Sequence, residues 1–420
     1  MTETKSAKKS TKDLIFEAAF SFYLQPQFHD FSMSQLAEKV GISKPAIYRH
    51  FKSKDELVVQ MQSSFFDVLA EKVKDIQYAN FFDGTSTFKK QFAQLVVFFT
   101  ENTQYINYFI RQHTQTANFE KIIYDELKAR GVKNSIKDFF ESKGFKNQLK
   151  RWSHIYFCAV SVLLYIKIRQ IYFEQNKETG SAEVFADKVI DFLYKGIVGT
   201  IGENERITKI SEERLRELDE LCQLKPEDLP AEDKIFTAFA KVIKKYGMNG
   251  VTIEHIADEL GMAKSSLYFY FENKNEMLLS LVNKELSFLT TACAENSVEA
   301  RSYTEFIYIT MKTETSYFVV RESILAICSW LLQSTSDRPY CEDENKSECM
   351  KPNNIWEIRT VEDFKKIKLD FPLTPENFTF VAGILPVSLM VLRRTKSLPL
   401  EETFKAMRYL FDFAMYGVNG

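Results

Sequence analysis

The chain has 420 residues, of which 45% are hydrophobic and 27% charged, and its formal net charge is −2. This composition excludes a disordered chain, leaves room for two or more domains with sizeable cores, and excludes nucleic-acid binding by a global positive field, so any such surface is a local patch. Phe (37) and Tyr (19) are abundant while Gly (14) and Pro (10) are sparse, which favours an all-α fold.

The first twelve residues carry Lys5, Lys8, Lys9 and Lys12 against Glu3. Two readings stand side by side: an arm that follows a DNA backbone or minor groove, and a solubilising start. The start lacks the apolar core of a secretory signal. A first helix is predicted over 11–25, with Ile15, Ala18, Ala19, Phe22 and Tyr23 on its buried side.

Ser32 to Phe51 reads as two short helices joined by a glycine turn. Ser32 caps the first, and Gln35 completes a capping box. Met33, Leu36, Ala37 and Val40 recur at helical spacing and form one apolar face. Gly41 supplies the positive φ of a tight helix exit. Ser43 caps the second helix, which tolerates Pro45 in its first turn. Ile47 and Phe51 face the core, leaving Lys44, Tyr48, Arg49 and Lys52 on other faces. Ser53 with Glu56 forms a further capping box. It starts a long helix towards residue 76, with Leu57, Met61, Phe65, Val68 and Leu69 inside. Two helices so spaced, with a basic and aromatic outer face, make a helix-turn-helix whose second helix suits a major groove.

Asn80, Asp83 and Gly84 break the long helix. Helices then fall near 87–113, 118–130, 133–143, 150–174 and 182–199, the last carrying Val184, Phe185, Val189, Phe192 and Ile197. The connector, 200–231, opens with Gly202-Glu203-Asn204. Glu205–Leu224 reads as a helix, with Ile207, Ile210, Leu215, Leu218 and Leu221 apolar, and Lys225 to Pro230 ends it. Twenty helical residues span about 30 Å, enough for a strap between distant points. The other reading is a solvated spacer.

The second half is predicted helical over 233–246, 252–260, 264–271, 274–296, 301–313, 315–335, 361–367, 375–396 and 401–417. Thr252 to Phe271 repeats the design of Ser32 to Phe51, 220 positions later and without a gap. Residues 13–57 and 233–277 share eleven identities, including Gly41/Gly261, Lys44/Lys264, Tyr48/Tyr268, Phe51/Phe271 and Lys54/Lys274. The ends also match: Asp191-Phe192-x-x-x-Gly196 against Asp412-Phe413-x-x-x-Gly417, at an offset of 221. In between the alignment slips, and the loop at 337–358 has no partner in the first half. The pattern is that of a whole-domain duplication.

At these residues a resemblance can be named. Residues 43–57, Ser-Lys-x-x-Ile-Tyr-x-His-Phe-x-Ser-Lys-Asp-Glu-Leu, and 263–277, Ala-Lys-x-x-Leu-Tyr-x-Tyr-Phe-x-Asn-Lys-Asn-Glu-Met, resemble the DNA-binding segment of the tetracycline-repressor (TetR) family of bacterial transcription regulators. The chain is about twice the family's usual length and has two such segments in place of one. The resemblance implies two helix-turn-helix domains (1–57 and 232–277), two helical ligand-binding and dimerisation bodies (58–200 and 278–420), and a connector (201–231). It implies contact with a double-stranded DNA operator through Ser32, Ser43, Lys44, Pro45, Tyr48, Arg49, His50 and Lys54. In the second copy the residues are Thr252, Lys264, Ser265, Ser266, Tyr268, Tyr270 and Lys274. It further implies a small apolar or aromatic effector, and a four-helix bundle of 150–174 and 182–199 with 375–396 and 401–417. Family members pair as homodimers. Here the two halves can form an internal pseudo-dimer, with further homodimerisation possible.

Aromatic residues able to line an effector pocket are Phe92, Phe98, Phe99, Tyr105, Tyr108, Phe109, Tyr156, Phe157 and Tyr165. In the second half they are Tyr308, Tyr317, Phe318, Trp330 and Phe378. The same spacing also serves plain core, so no ligand residue is assigned. The two recognition helices differ: residues 43–52 carry a formal charge of +3 and 263–272 a formal charge of zero, with Phe269 and Tyr270 where Arg49 and His50 stand. No catalytic constellation, phosphate loop or metal spacing marks the chain as an enzyme, and no cofactor is implied. The cysteines at 158, 222, 293, 328, 341 and 349 form no C-x-x-C pair. The apolar runs Ile155–Ile166 and Phe378–Leu392 are too short to span a bilayer, which points to a cytoplasmic protein. The competing function is a ligand or protein sensor of the same fold that no longer binds DNA.

Overall fold

Side-chain oxygens open the helices. Ser10, Ser32, Ser43, Ser53, Ser211, Asp233, Thr252, Ser302 and Thr374 each accept from a backbone N–H of the following first turn. These bonds satisfy donors that a helix start leaves orphaned. The computed structural model describes residues 10–24, 31–76, 86–115, 119–133, 148–201, 207–268, 274–325 and 370–417, and no β-strand occurs among them. In the first repeat the helices are α1 (Thr11–Ser21), α2 (Met33–Val40), α3 (Lys44–Tyr48), α4 (Lys54–Val73), α5 (Ser86–Glu101), α6 (Thr103–Gln115), α7 (Phe119–Ala129), α8 (Gln148–Glu174) and α9 (Ala182–Ile201). Helix α10 (Glu212–Leu221) lies in the connector. The second repeat has α11 (Lys234–Gly250), α12 (Ile253–Leu260), α13 (Lys264–Tyr268), α14 (Lys274–Ser297), α15 (Tyr303–Val320), α16 (Pro375–Lys396) and α17 (Leu400–Tyr416). The all-α, tandem reading holds.

Two compact units divide the chain, Met1–Gly144 and Phe145–Gly420. In the first, Phe20 of α1 meets Tyr105 and Tyr108 of α6 at ring-centroid distances of 4.9 and 5.3 Å, and Phe65 of α4 meets Tyr108 at 5.0 Å. Asn107 Nδ2 donates to the Tyr23 carbonyl at 2.8 Å. Arg130, just past α7, ties that helix to α4: its Nε donates to Asp67 at 2.6 Å, and it also pairs with Glu126. One predicted helix, 87–113, is two. It breaks at Asn102, whose amide donates to the Phe98 carbonyl at 2.8 Å and so competes with the helix ladder.

The second unit holds α8 and α9 of the first repeat together with the whole second repeat. Helices α8, α9, α16 and α17 form the expected four-helix bundle, and its contacts are reciprocal. Phe192 lies 5.8 Å from Phe378, and Phe413 lies 5.9 Å from Phe157. Phe192 and Phe413 are 221 positions apart, and so are Phe157 and Phe378. Gly196 and Gly417, again 221 apart, have φ of +63° and +75°. A Cβ on Gly196 would sit 2.4 Å from the Gly417 nitrogen, and one on Gly417 would sit 2.3 Å from the Tyr194 carbonyl oxygen. Each residue thus meets its own counterpart's neighbourhood, the pattern of a two-fold interface between identical subunits. Here it lies within one chain. The offset of 221 therefore extends to α8 and α16, which share no motif.

Helix α15 runs through the middle of this unit, buried from Tyr303 to Phe318. The sequence reading broke it near residue 314. Burial on all sides overrides the weak helix propensity of Thr310, Thr313 and Thr315, and the helix continues. The connector departs further from expectation. Its helix has 10 residues, so it spans about 15 Å and is no 30 Å strap. Nor is it a solvated spacer: Ile207, Ile210, Leu215 and Leu218 are buried. Asp219 accepts from Tyr308 at 2.6 Å and pairs with Lys312 at 2.9 Å, while Arg214 pairs with Glu305 at 3.2 Å. Two helical segments, Gln148–Glu174 and Asn377–Arg394, are long and apolar enough to cross a membrane, contrary to the run lengths read from sequence. Both are bundle helices that bury apolar residues against one another. Residues 134–143 and 326–335, the predicted segment at 361–367 and the loop at 337–358 lie outside the described residues.

Candidate nucleic-acid interface

The first head is built as its sequence dictates. Ser32 accepts from the Gln35 N–H at 3.2 Å, and Gln35 accepts from the Ser32 N–H at 2.8 Å, closing the capping box. Met33, Leu36 and Ala37 turn inwards, and Gly41 exits α2 with φ of +77°. Ser43 caps α3 through the Ala46 N–H at 3.3 Å. Ile47 and Phe51 are buried, Phe51 against the Phe16 ring at 5.6 Å. Anchoring by Ile47 leaves Ser43, Lys44, Pro45, Tyr48, Arg49 and His50 exposed together on and beside α3. Lys44 and Arg49 have no ion-pair partner among the described residues. Lys54 is half-buried, its ammonium 5.3 Å from the Phe31 ring. Glu56 does not close the predicted box with Ser53: it accepts from the Lys52 N–H at 2.6 Å, one residue earlier.

The second head repeats this backbone. Thr252 caps α12 through the His255 N–H at 3.2 Å, and Gly261 exits it with φ of +64°. Ile253, Ile256 and Ala257 are buried where Met33, Leu36 and Ala37 are, and Leu267 replaces Ile47. Tyr48 and Tyr268 are 44% and 45% exposed, so the two helices present the same tyrosine to the same extent. The shared Asp13 and Asp233 differ in use. Asp13 closes a capping box with Ser10, whereas Asp233 itself caps α11 and pairs with Lys284 of α14 at 3.0 Å.

An αα corner with an exposed second helix is common, and the repeat of cap, glycine, lysine and tyrosine is not. The family model of bacterial regulatory proteins, tetR family, matches residues 15–61 and again 235–281. The chain belongs to the tetR family of bacterial regulatory proteins, with the family segment present twice. It is similar to an uncharacterized HTH-type transcriptional regulator of Haemophilus influenzae, 27% identical over 140 residues, 32% of this chain and 68% of that protein. It is also similar to an uncharacterized HTH-type transcriptional regulator in the lacX 3′ region of Lactococcus lactis subsp. lactis, 35% identical over 54 residues, 13% of this chain and 28% of that one. The tetR-family chain is thus a DNA-binding regulator of transcription by type.

The two heads part company at their charges. Lys264 is paired with Glu254 and lies 5.5 Å from the Tyr268 ring. Lys264, then the backbone N–H of Glu254 itself, and at lesser strength the Thr252 hydroxyl, hold the Glu254 carboxyl below the usual carboxylate range. Hydrogen bonding to Glu254 raises the Lys264 ammonium in turn. Ser265 is exposed and Ser266 half-buried. Phe269 and Tyr270 lie outside the described residues, as does the side chain of Lys274. Sequence reading passed over Glu254. Its signal was there, since Glu254 stands where the repeat has Ser34, but no periodicity or motif singles out position 254.

The aromatics named as able to line a pocket pack with core residues within each unit. Tyr105, Tyr108 and Phe109 pack around Phe65 in the first unit. Phe157 and Tyr165 meet Phe192 in the bundle of the second. Tyr308 and Tyr317 are core residues whose hydroxyls bond Asp219 and Glu285. Trp330 lies outside the described residues.

Proposed function

We propose that this tetR-family chain is a ligand-responsive repressor that carries both DNA-binding heads of a family dimer itself. One observation carries the reading. Each head buries one face of its second helix and presents a lysine and a tyrosine, four residues apart, on the other. Lys44, Tyr48 and Lys54, with Lys264, Tyr268 and Lys274, would grip phosphates, while Arg49 and His50 would reach base edges. Ser32, Ser43, Pro45, Thr252, Ser265, Ser266 and Tyr270 complete the proposed contact set. The reciprocal bundle supports a single chain per operator, because it already supplies a complete two-fold interface. The heads being unlike, the operator they read is asymmetric.

An apolar or aromatic effector is the natural ligand for the helical bodies. Thr310 and Glu314 on α15 support such a site in the second repeat. They are one turn apart and buried, and each has a side-chain oxygen with no hydrogen-bond partner among the described residues. Burial pushes the Glu314 carboxyl well above the usual carboxylate range, which favours its neutral form, a hydrogen-bond donor. A bound molecule would satisfy both groups. The protein acts in the cytoplasm, where its operator is, and catalyses no reaction.

The test is selection of bound sequences from a random duplex pool, with the mass of the complex measured alongside. An asymmetric consensus held by one chain is expected. Two chains on a palindrome would overturn the single-chain reading, and absence of any selected sequence would favour a sensor that has lost DNA binding.

A further inference from the structure

The helix-turn-helix of the second head carries a carboxylate that its first counterpart lacks. Glu254 is the second residue of α12, and its place in α2 is held by Ser34. The ammonium of Lys264, the second head's exposed lysine, donates to the Glu254 carboxylate across the turn between α12 and α13. A lysine ammonium at this place is a donor suited to a phosphate oxygen. In the first head the matching lysine is Lys44. Ser34 is neutral and exposed, and Lys44 has no ion-pair partner among the described residues.

We propose that Glu254 is a built-in phosphate mimic, which occupies the backbone-gripping Lys264 of the second head and makes it the weaker DNA-binding half. The inference rests on the proposed DNA-binding function and deepens it. Two physical effects act in one direction. DNA must displace Glu254 from Lys264 before that lysine can take a phosphate, and the freed carboxylate then repels the backbone it faces. Both side chains are about half exposed, at 46% and 52%, so the pair contributes little to folding and its loss is tolerated. A homodimer cannot separate its heads in this way, because every change appears twice. A duplicated chain can hold one head strong for placement and the other weak.

The experiment uses the full chain and the duplex selected by the unaltered protein, with affinity measured across a salt series. Glu254→Ser, which installs the first head's residue, should tighten binding about tenfold near 0.1 M salt and steepen the log-affinity against log-salt slope by about 0.9, one phosphate contact. Glu254→Gln should move both quantities the same way, since the charge is the cause. Ser34→Glu should do the reverse in the first head. Lys264→Ala should cost clearly less affinity than Lys44→Ala, and the two losses should become equal once Glu254→Ser is present, the coupling being read from the double-mutant cycle. If Lys44→Ala weakens binding but Glu254→Ser and Glu254→Gln change neither affinity nor slope, the mimic is wrong and the DNA-binding reading survives. If the unaltered protein holds no duplex, both fall.

Discussion

The two heads and the two bundle pairs descend from the same duplication, and they have kept different things. The heads keep their backbone: both have a hydroxyl cap, a left-handed glycine and one buried apolar residue at the centre of the second helix. What they exchange freely is surface charge, since Ser34 has become Glu254 and Arg49 has become Phe269. The bundle keeps contact partners instead. Gly196 presses on Gly417, and Phe192 faces Phe378 as Phe413 faces Phe157. A surface answers only to its ligand, so the two copies diverge. An interface between the copies answers to both at once, so a change in one is felt by the other.

The sharpest way to break this comparison is a methyl group on each kind of glycine. Gly196→Ala places a Cβ 2.4 Å from backbone atoms that no rotamer change can move. It should destabilise the second unit by more than about 4 kcal/mol, read as the shift in urea midpoint of its transition. Gly41→Ala meets open space and should cost only the left-handed conformation, about 1–2 kcal/mol. Equal costs would mean that the glycine pair does not hold the bundle together.

Next in size are the phenylalanines. Phe192→Ala and Phe413→Ala should each cost about 3–5 kcal/mol, and by similar amounts, because the internal two-fold puts them in like surroundings. If one is costly and the other near neutral, the symmetry is only apparent.

Acid should act on the bundle before it acts on the heads. His154 is buried beside Phe413, and burial, then Lys150 and Arg151, push its pKa down from 6.5 to about 3. A depressed histidine leaves the unfolded chain holding more protons, so stability is full above about pH 6.5 and falls as pH drops towards 3. The slope is at most about 1.4 kcal/mol per pH unit. His154→Phe should flatten the acid limb of a stability-against-pH curve. An unchanged limb would assign acid sensitivity elsewhere.

The smallest effect is at the recognition helices. Arg49→Ala should lower affinity, and flatten the salt slope by about 0.9 if the arginine holds a phosphate. Phe269→Ala should leave the slope alone. Equal effects on both half-sites would show that position 49 points away from DNA.

Much of this molecule was legible without coordinates. Caps, turn glycines and apolar spacing are local, since each depends on residues within about four positions, and α2, α3, α12 and α13 came out where Ser32, Ser43, Thr252, Gly41 and Gly261 put them. The duplication was legible for the same reason, because both copies solve one local problem. The tertiary structure decided what depends on distant partners. It shortened the connector helix, because Ile207 and Ile210 are buried in the second unit outside any helix. It ran α15 unbroken through three threonines, because burial outweighs propensity. It also joined Glu254 to Lys264, ten positions apart across a turn and on two helices. A carboxylate's sequence position says that it is charged. Only the fold says which cation it meets.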